Sequence, residues 1–315
     1  MWRSRSDGDS RVSDQEAIRE LDPERDAAGV VELIHEVFPA AVTTVEGWRQ
    51  QHASVPVRAR RAAWVATVDD AIVARAEASL NWFSESRTAF AGVSVREPFR
   101  RRGIGGRLWE LVEQHLHALT PSRVLSMFTE TPEAVAFARA RGFAEVRAET
   151  MSCVDPREVD LSPLDGPPIE LVPLSRVSPE EVYEVDVITT ADVPMTDSLD
   201  DIRFDEWLET IWRRPTMTLD GSFAAIDERR VVAITMLAAN FAIARGFNEY
   251  TATLPSHRGR GLALQVKLAS LRWAAENGIT AVWTTNDETN APMLAINSRL
   301  GYEPRLRRVE FLRDG

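Results

Sequence analysis

With one cysteine, Cys153, in 315 residues, the chain can form no intrachain disulfide, and a reducing compartment, the cytoplasm, is its expected setting. Lysine is equally scarce. Lys267 is the only one among 37 Lys and Arg residues, a bias read as base composition with no role attached. Long apolar runs are missing too. The longest, Val231 to Ala244, is interrupted by Thr235 and Asn240 and falls short of the roughly 20 residues of a bilayer span. It is expected to form buried strands, and no membrane partner is expected. Nor is there an excess of positive charge. A formal net charge of −11 suits a chain that sheathes no nucleic acid and is compatible with a cationic amine substrate. Residues 1–14 lack the apolar core of a signal peptide and read as a disordered leader.

What is present comes twice. Arg100 to Gly105 reads RRRGIG and Arg258 to Ala263 reads RGRGLA, both fitting R-x-x-G-x-[GA], with Arg258 lying 158 positions after Arg100 and Gly261 lying 158 after Gly103. RARGF at Arg139 to Phe143 returns as SRLGY at Ser298 to Tyr302, a shift of 159. Two landmarks in register indicate a tandem duplication. The expected layout is a first domain over 15–155, a linker over 156–168 containing PLDGPP, and a second domain over 169–315.

Each half repeats one order of elements. A strand (Ala17 to Leu21; Ile169 to Leu174) and a helix open it. Hairpins follow, turning at Asp69-Asp70 and at Asp227 to Arg229. A further strand (Thr88 to Val95; Asn248 to Leu254) enters the Arg/Gly loop, after which come a helix of apolar periodicity, a strand, a second helix ending at the Gly-aromatic pair, and a last strand.

A strand that runs through a glycine turn into a helix aligns unpaired N–H groups with the positive end of the helix dipole, an arrangement that holds pyrophosphate. Gly103, Gly105 and Gly261 let backbone approach a ligand, and the arginines add charge. No Gly-Lys-Ser/Thr is present and no G-x-G-x-x-G precedes a βαβ unit, so an NTPase loop and a dinucleotide fold are excluded. Coenzyme A is the common pyrophosphate ligand left.

At these residues the chain resembles the GCN5-related N-acetyltransferases (GNAT), whose signature is R/Q-x-x-G-x-G/A between a strand and a helix. VREPFRRRGIGGRL and TLPSHRGRGLALQVK both resemble that segment, and Asn290 stands eleven residues before Gly301 as an Asn often does in the family. The resemblance covers nearly the whole chain. It implies an α/β fold of two tandem GNAT-like domains, each a splayed, mostly antiparallel mixed sheet flanked by helices, with acetyl-CoA as co-substrate in the splay and no metal. Carried over, the coenzyme contacts are Val93, Val95, Arg100, Arg101, Arg102, Gly103, Ile104, Gly105 and Gly106 in the first half. In the second they are Thr253, Arg258, Gly259, Arg260, Gly261, Leu262 and Ala263, with Asn286 and Asn290 beside the thioester and pantetheine. Thr131 takes the place of Asn290 in the first half.

Acetyl transfer needs a neutral amine, a polarised thioester carbonyl and a proton for the leaving thiolate. The family's usual Tyr acid lies four residues before the Gly of the Gly-aromatic pair, where this chain has Ala138 and Asn297. Glu249, expected on the face of its strand shared with Thr251 and Thr253, is the candidate base, with Asn286 beside it. The first half has no carboxylate between Thr88 and Val95. The second half is therefore the expected catalytic one. The expected activity is transfer of acetyl from acetyl-CoA to the amine of a small molecule, by direct transfer, in a monomer or homodimer. The alternatives are a non-catalytic acyl-CoA-binding protein and an acetyltransferase like mycothiol synthase, which also has two such halves.

Overall fold

The computed structural model describes residues 15–160, 169–193, 196–197 and 202–315. The leader and most of the expected linker lie outside them. The first half runs β1 (Glu16–Glu20), α1 (Pro23–Val37), α2 (Val45–Ser54), β2 (Ala62–Val68), β3 (Ala71–Leu80), β4 (Thr88–Val95), α3 (Ile104–Leu119), β5 (Arg123–Thr129), α4 (Pro132–Arg139) and β6 (Ala144–Val154). The second runs β7 (Glu170–Pro173), α5 (Pro179–Thr190), α6 (Phe204–Trp207), β8 (Phe223–Asp227), β9 (Arg230–Asn240), β10 (Arg245–Thr253), α7 (Leu262–Glu276), β11 (Ala281–Asp287), α8 (Ala291–Arg299) and β12 (Glu303–Asp314). Between α6 and β8, Leu208–Trp212 forms a π-helical turn.

Local chemistry explains the boundaries. Asp22 caps α1 by accepting from the amides of Glu24 (3.0 Å) and Arg25 (3.2 Å), with Pro23 at the first helical position, where its missing N–H costs nothing. Both hairpins turn through two left-handed residues, Asp69 and Asp70 in one and Glu228 and Arg229 in the other. That backbone twist matches the strands it joins. The apolar run from Val231 is strand only as far as Asn240. There Asn240 accepts from the amide of Ala242 (3.2 Å), and a 3₁₀ turn over Phe241–Ile243 sends the chain back into β10. Every residue of β9 from Val231 to Asn240 is buried, as befits a central strand covered on both faces.

All twelve strands form one mixed sheet in the order β1-β2-β3-β4-β5-β12-β6-β11-β10-β9-β8-β7. Two tandem domains would each be expected to bury a core of their own. Instead the halves exchange their last strands: β12 lies between β5 and β6, and β6 lies between β12 and β11. The cores follow the exchange. Val309 and Phe311 of β12 are fully buried in the core of the first half, beside Leu108, Trp109 and Val112. Val154 of β6 packs with Leu237, Leu268 and Tyr302 of the second. An alternating apolar pattern fixes which face of a strand is buried and leaves its neighbour open, so the exchange was invisible in the sequence.

Charge seals the seam. Arg147 on β6 bridges Glu149 (2.8 Å), Glu310 (2.8 Å) and Asp287 (3.4 Å). The halves also reach over one another. Asp197 accepts from Asn81 (2.8 Å) and Ser86 (2.9 Å), while Asn240 and Arg245 donate to the carbonyls of Thr43 (3.1 Å) and Ala41 (3.0 Å).

Candidate active site

Each half contains a cleft where two parallel strands part. β4 and β5 pair only over Thr88–Phe90 and Arg123–Leu125. β10 and β11 pair only over Arg245–Asn248 and Ala281–Thr284. Beyond those points β4 and β10 remain bonded to their outer neighbours alone, and backbone groups facing the gap lose their strand partners. An Arg/Gly loop stands at the mouth of each cleft.

The two loops share one conformation. Arg100 and Arg258 are extended (φ −66° and −64°), and each folds its guanidinium back so that Nε donates to a strand carbonyl, Val95 at 3.1 Å or Thr253 at 3.2 Å. Arg101 and Gly259 take positive φ, and Gly103 and Gly261 do so immediately before the helix. Gly103 and Gly261 are the N-caps of α3 and α7, and neither helix has a side-chain cap. Every other helix of eight or more described residues has one, from Asp22, Thr44, Thr131, Ser178 or Asn290. Two helix N-termini therefore keep their first-turn amides free of side-chain acceptors, which suits a phosphate group.

Charge makes the loops unequal. In the second, Arg258 pairs with Asp192, and Asp227 holds both Arg260 (2.7 Å) and His257 (3.5 Å). In the first, Arg100 and Arg101 meet no carboxylate among the described residues, and the Arg102 guanidinium lies 5.0 Å over the Phe99 ring. Val93 and Val95 lie on β4 beyond its last pair with β5, opposite Ala76 and Ala74 of β3.

The strands differ as well. β4 pairs with β3 without interruption. β10 slips register against β9 between Asn248 and Tyr250, which makes Glu249 the extra residue of a β-bulge one position past the last β10–β11 pair. A bulge re-aims side chains. Asn248 and Thr251 share one face, joined by a 3.0 Å bond, and Asn248 there meets Lys267 of α7. Glu249 and Tyr250 project from the other: the Glu249 carboxylate pairs with Arg214, and the Tyr250 hydroxyl bonds Thr189 of α5 (2.7 Å). The expectation that Glu249 shares a face with Thr251 is thus corrected, because the bulge breaks the alternation.

Asn286, on β11, accepts from Asn297 (2.5 Å), the residue where the family's Tyr was sought. Asn290 caps α8 by accepting from the amide of Met293 (3.3 Å). Its counterpart Thr131 caps α4 in the same way (3.1 Å). The Thr/Asn difference between the halves is therefore an exchange of one helix cap for another.

Paired clefts, each with an uncapped helix behind an Arg/Gly loop, coincide with a profile match. The profile of the acetyltransferase (GNAT) family matches residues 27–143 and again 185–302. The chain belongs to the GNAT acetyltransferase family. Among solved structures it is similar to a tandem GNAT protein from the clavulanic acid biosynthesis pathway, at 20% identity and a TM-score of 0.75 over 95% of this chain and 98% of that one. A GCN5-related N-acetyltransferase from Sphaerobacter thermophilus gives 17% identity and a TM-score of 0.70 over 95% of both chains. An acetyltransferase of Pyrococcus horikoshii, described as putative, gives 13% and 0.60 over 95% and 89%. A search of curated protein sequences matched none.

Within this GNAT pair, four groups near the second cleft escaped the sequence. Arg214 and Asp192 come from segments without a motif, and only the fold brings them to Glu249 and Arg258. Asp186 on α5 is pushed up from the ordinary carboxylate range by burial, against bonds from Trp207 Nε1 (2.5 Å) and Thr190 (3.1 Å). Lys267 did carry a signal, its solitude. Trp48 and Trp207 are buried core. Cys153 is a packed thiol that burial pushes up to about 11. Among the described residues no three His, Cys, Asp or Glu side chains gather as a metal site, and no helix is long and apolar enough to cross a membrane.

Proposed function

We propose that this GNAT protein transfers the acetyl group of acetyl-CoA to the amine of a small molecule, and that the second half carries out the transfer. The supporting observation is the coincidence, in that half alone, of three features: a cleft between β10 and β11, a bulge at its apex that presents Glu249, and an uncapped α7 behind an Arg/Gly loop. Backbone amides of the loop and first helical turn would hold the pyrophosphate, with Arg258 and Arg260 at its edge. Bulge amides would polarise the thioester carbonyl. Glu249, steadied by Arg214, takes the proton from the incoming amine. The negative overall charge favours approach of a cationic amine. The single, packed cysteine suits a reducing cytoplasm, and the continuous sheet completes its core within one chain, as a monomer or a homodimer would.

Release of free thiol from acetyl-CoA in the presence of a panel of small amines tests this. At least one amine should exceed background hydrolysis, and Glu249→Gln should lower kcat by about 100-fold or more with acetyl-CoA affinity unchanged. If no amine beats background and the variant matches wild type, the enzymatic assignment falls. A second function, acyl-CoA binding without turnover, is favoured by Ala138 and Asn297 at the places of the usual acid. Tight acetyl-CoA binding in a calorimeter without transfer to any amine would establish it instead.

A further inference from the structure

Lys267 is 1% exposed, sits in the second turn of α7, and donates to Asn248 Oδ1 at 2.9 Å. Asn248 is the last residue of β10 paired with β11 and stands directly before the bulged Glu249. Its amide nitrogen donates to Thr235 (2.7 Å) and to the carbonyl of Met236 (3.3 Å) on β9. Its backbone carbonyl accepts from Thr284 of β11 (3.2 Å), and Thr235 bonds Thr251 (2.8 Å). Around this network lie Leu264, Leu268 and Val266 of α7. One polar strut therefore joins the helix of the coenzyme loop to the apex of the cleft, through an otherwise apolar interface.

The first half has no such device. The position 158 residues before Lys267 is Trp109, the one before Asn248 is the exposed Phe90, and β4 has no bulge. The strut and the bulge occur together or not at all.

We propose that Lys267 is a positioning residue whose bond to Asn248 ties the coenzyme-loop helix to the bulged strand, so that binding of an acyl-CoA in the β10–β11 cleft depends on it. This rests on the coenzyme assignment of the second half. Apart from five histidines, every other basic residue of the chain is an arginine, whose guanidinium cannot discharge. The one fully buried base among the described residues is a lysine, which can. Nothing charged relieves it. It meets Asn248 of β10, itself bonded to Thr235 and Thr284, and the ring of Tyr302, 4.9 Å away. No carboxylate or guanidinium among the described residues contacts it. Burial alone lowers its proton affinity, to about 7.

Full-length wild type and Lys267→Met, which keeps the length of the side chain and removes the amine, should be titrated with acetyl-CoA at pH 7, and Lys267→Met should bind about tenfold more weakly. The urea midpoint of wild type should climb between pH 7 and 10 by more than that of the variant, because the unfolded lysine holds its proton up to about 10.4. Asn248→Ala, which leaves the lysine in place and removes its acceptor, should weaken binding similarly, and it serves if Lys267→Met does not fold. Equal affinity in wild type and variants overturns the proposal alone. A wild type that binds no acetyl-CoA overturns the coenzyme assignment and the proposal together.

Discussion

Asp26, buried at the start of α1, accepts from both terminal nitrogens of Arg19 (2.6 and 2.8 Å), from Arg25 (3.1 Å) and from the amide of Asp22 (2.8 Å). Burial pushes its carboxyl upward, but these donors outweigh burial and hold it down at about 2. A carboxylate whose proton affinity falls on folding stabilises the fold above its unfolded pKa of about 3.9 and loses that contribution as pH drops through the folded value. The difference is worth about 2 kcal/mol. Asp26→Asn should therefore cost about that much in urea denaturation at pH 6 to 7, with the gap to wild type closing between pH 4 and 2. A gap that persists unchanged at pH 2 would assign the loss to packing. At this scale the sequence was legible where residue type and spacing carry the chemistry, as with Gly103 and Gly261. It was silent where a partner arrives from far along the chain, as Arg214 does for Glu249. Lys267 was visible as an oddity and was set aside as base composition. Only its burial turned the oddity into a role.

Loops and helices show how one motif comes to do different work. Both Arg/Gly loops have the same backbone, yet the second is already neutralised by Asp192 and Asp227, whereas Arg100 and Arg101 of the first meet no described carboxylate. On the proposed function, coenzyme phosphates would compete with Asp192 for Arg258. Exposed ion pairs of this kind contribute up to about 1 kcal/mol, so Asp192→Ala should tighten acetyl-CoA binding by about two- to fivefold at low salt, with the gain shrinking as salt is raised. Calorimetry at two ionic strengths would read it, and weaker binding would show that Asp192 shapes the loop rather than competing for it. The paired left-handed turn residues were legible as hairpins because Asp-containing turns carry their own chemistry. The bulge at Glu249 was not. A period of two cannot reveal one inserted residue, and Thr251 was accordingly placed on the face of Glu249.

Over the whole molecule, duplication in sequence does not give two independent folding units. The last strand of each half completes the core of the other, and β12 returns to the first half to bury Phe311 against Phe128 (5.1 Å between rings) and to set Arg313 on Glu113 of α3 (2.7 and 3.0 Å). The repeat was legible because its landmarks recur at fixed spacing. The exchange was not, since β6 and β12 have the same pattern whichever neighbours they take. A cut made within residues 161–168 should therefore leave one complex. Separately encoded residues 1–160 and 169–315 should co-elute as a 1:1 pair when expressed together, while residues 1–160 alone, with β5 lacking its inner neighbour, should fail to give a folded monomer. Phe311→Ala, five residues from the C-terminus, should destabilise the chain by about 3–5 kcal/mol and disturb Trp109 fluorescence in the first half. Two halves that fold as separate monomers, or a Phe311→Ala effect confined to the second half, would show that the exchanged strands are interchangeable with unexchanged ones. Coupled cores have a functional corollary. If β6 and β12 tie the two clefts into one cooperative unit, opening either cleft strains the same central strands, and coenzyme binding in one half should raise the unfolding midpoint of both together.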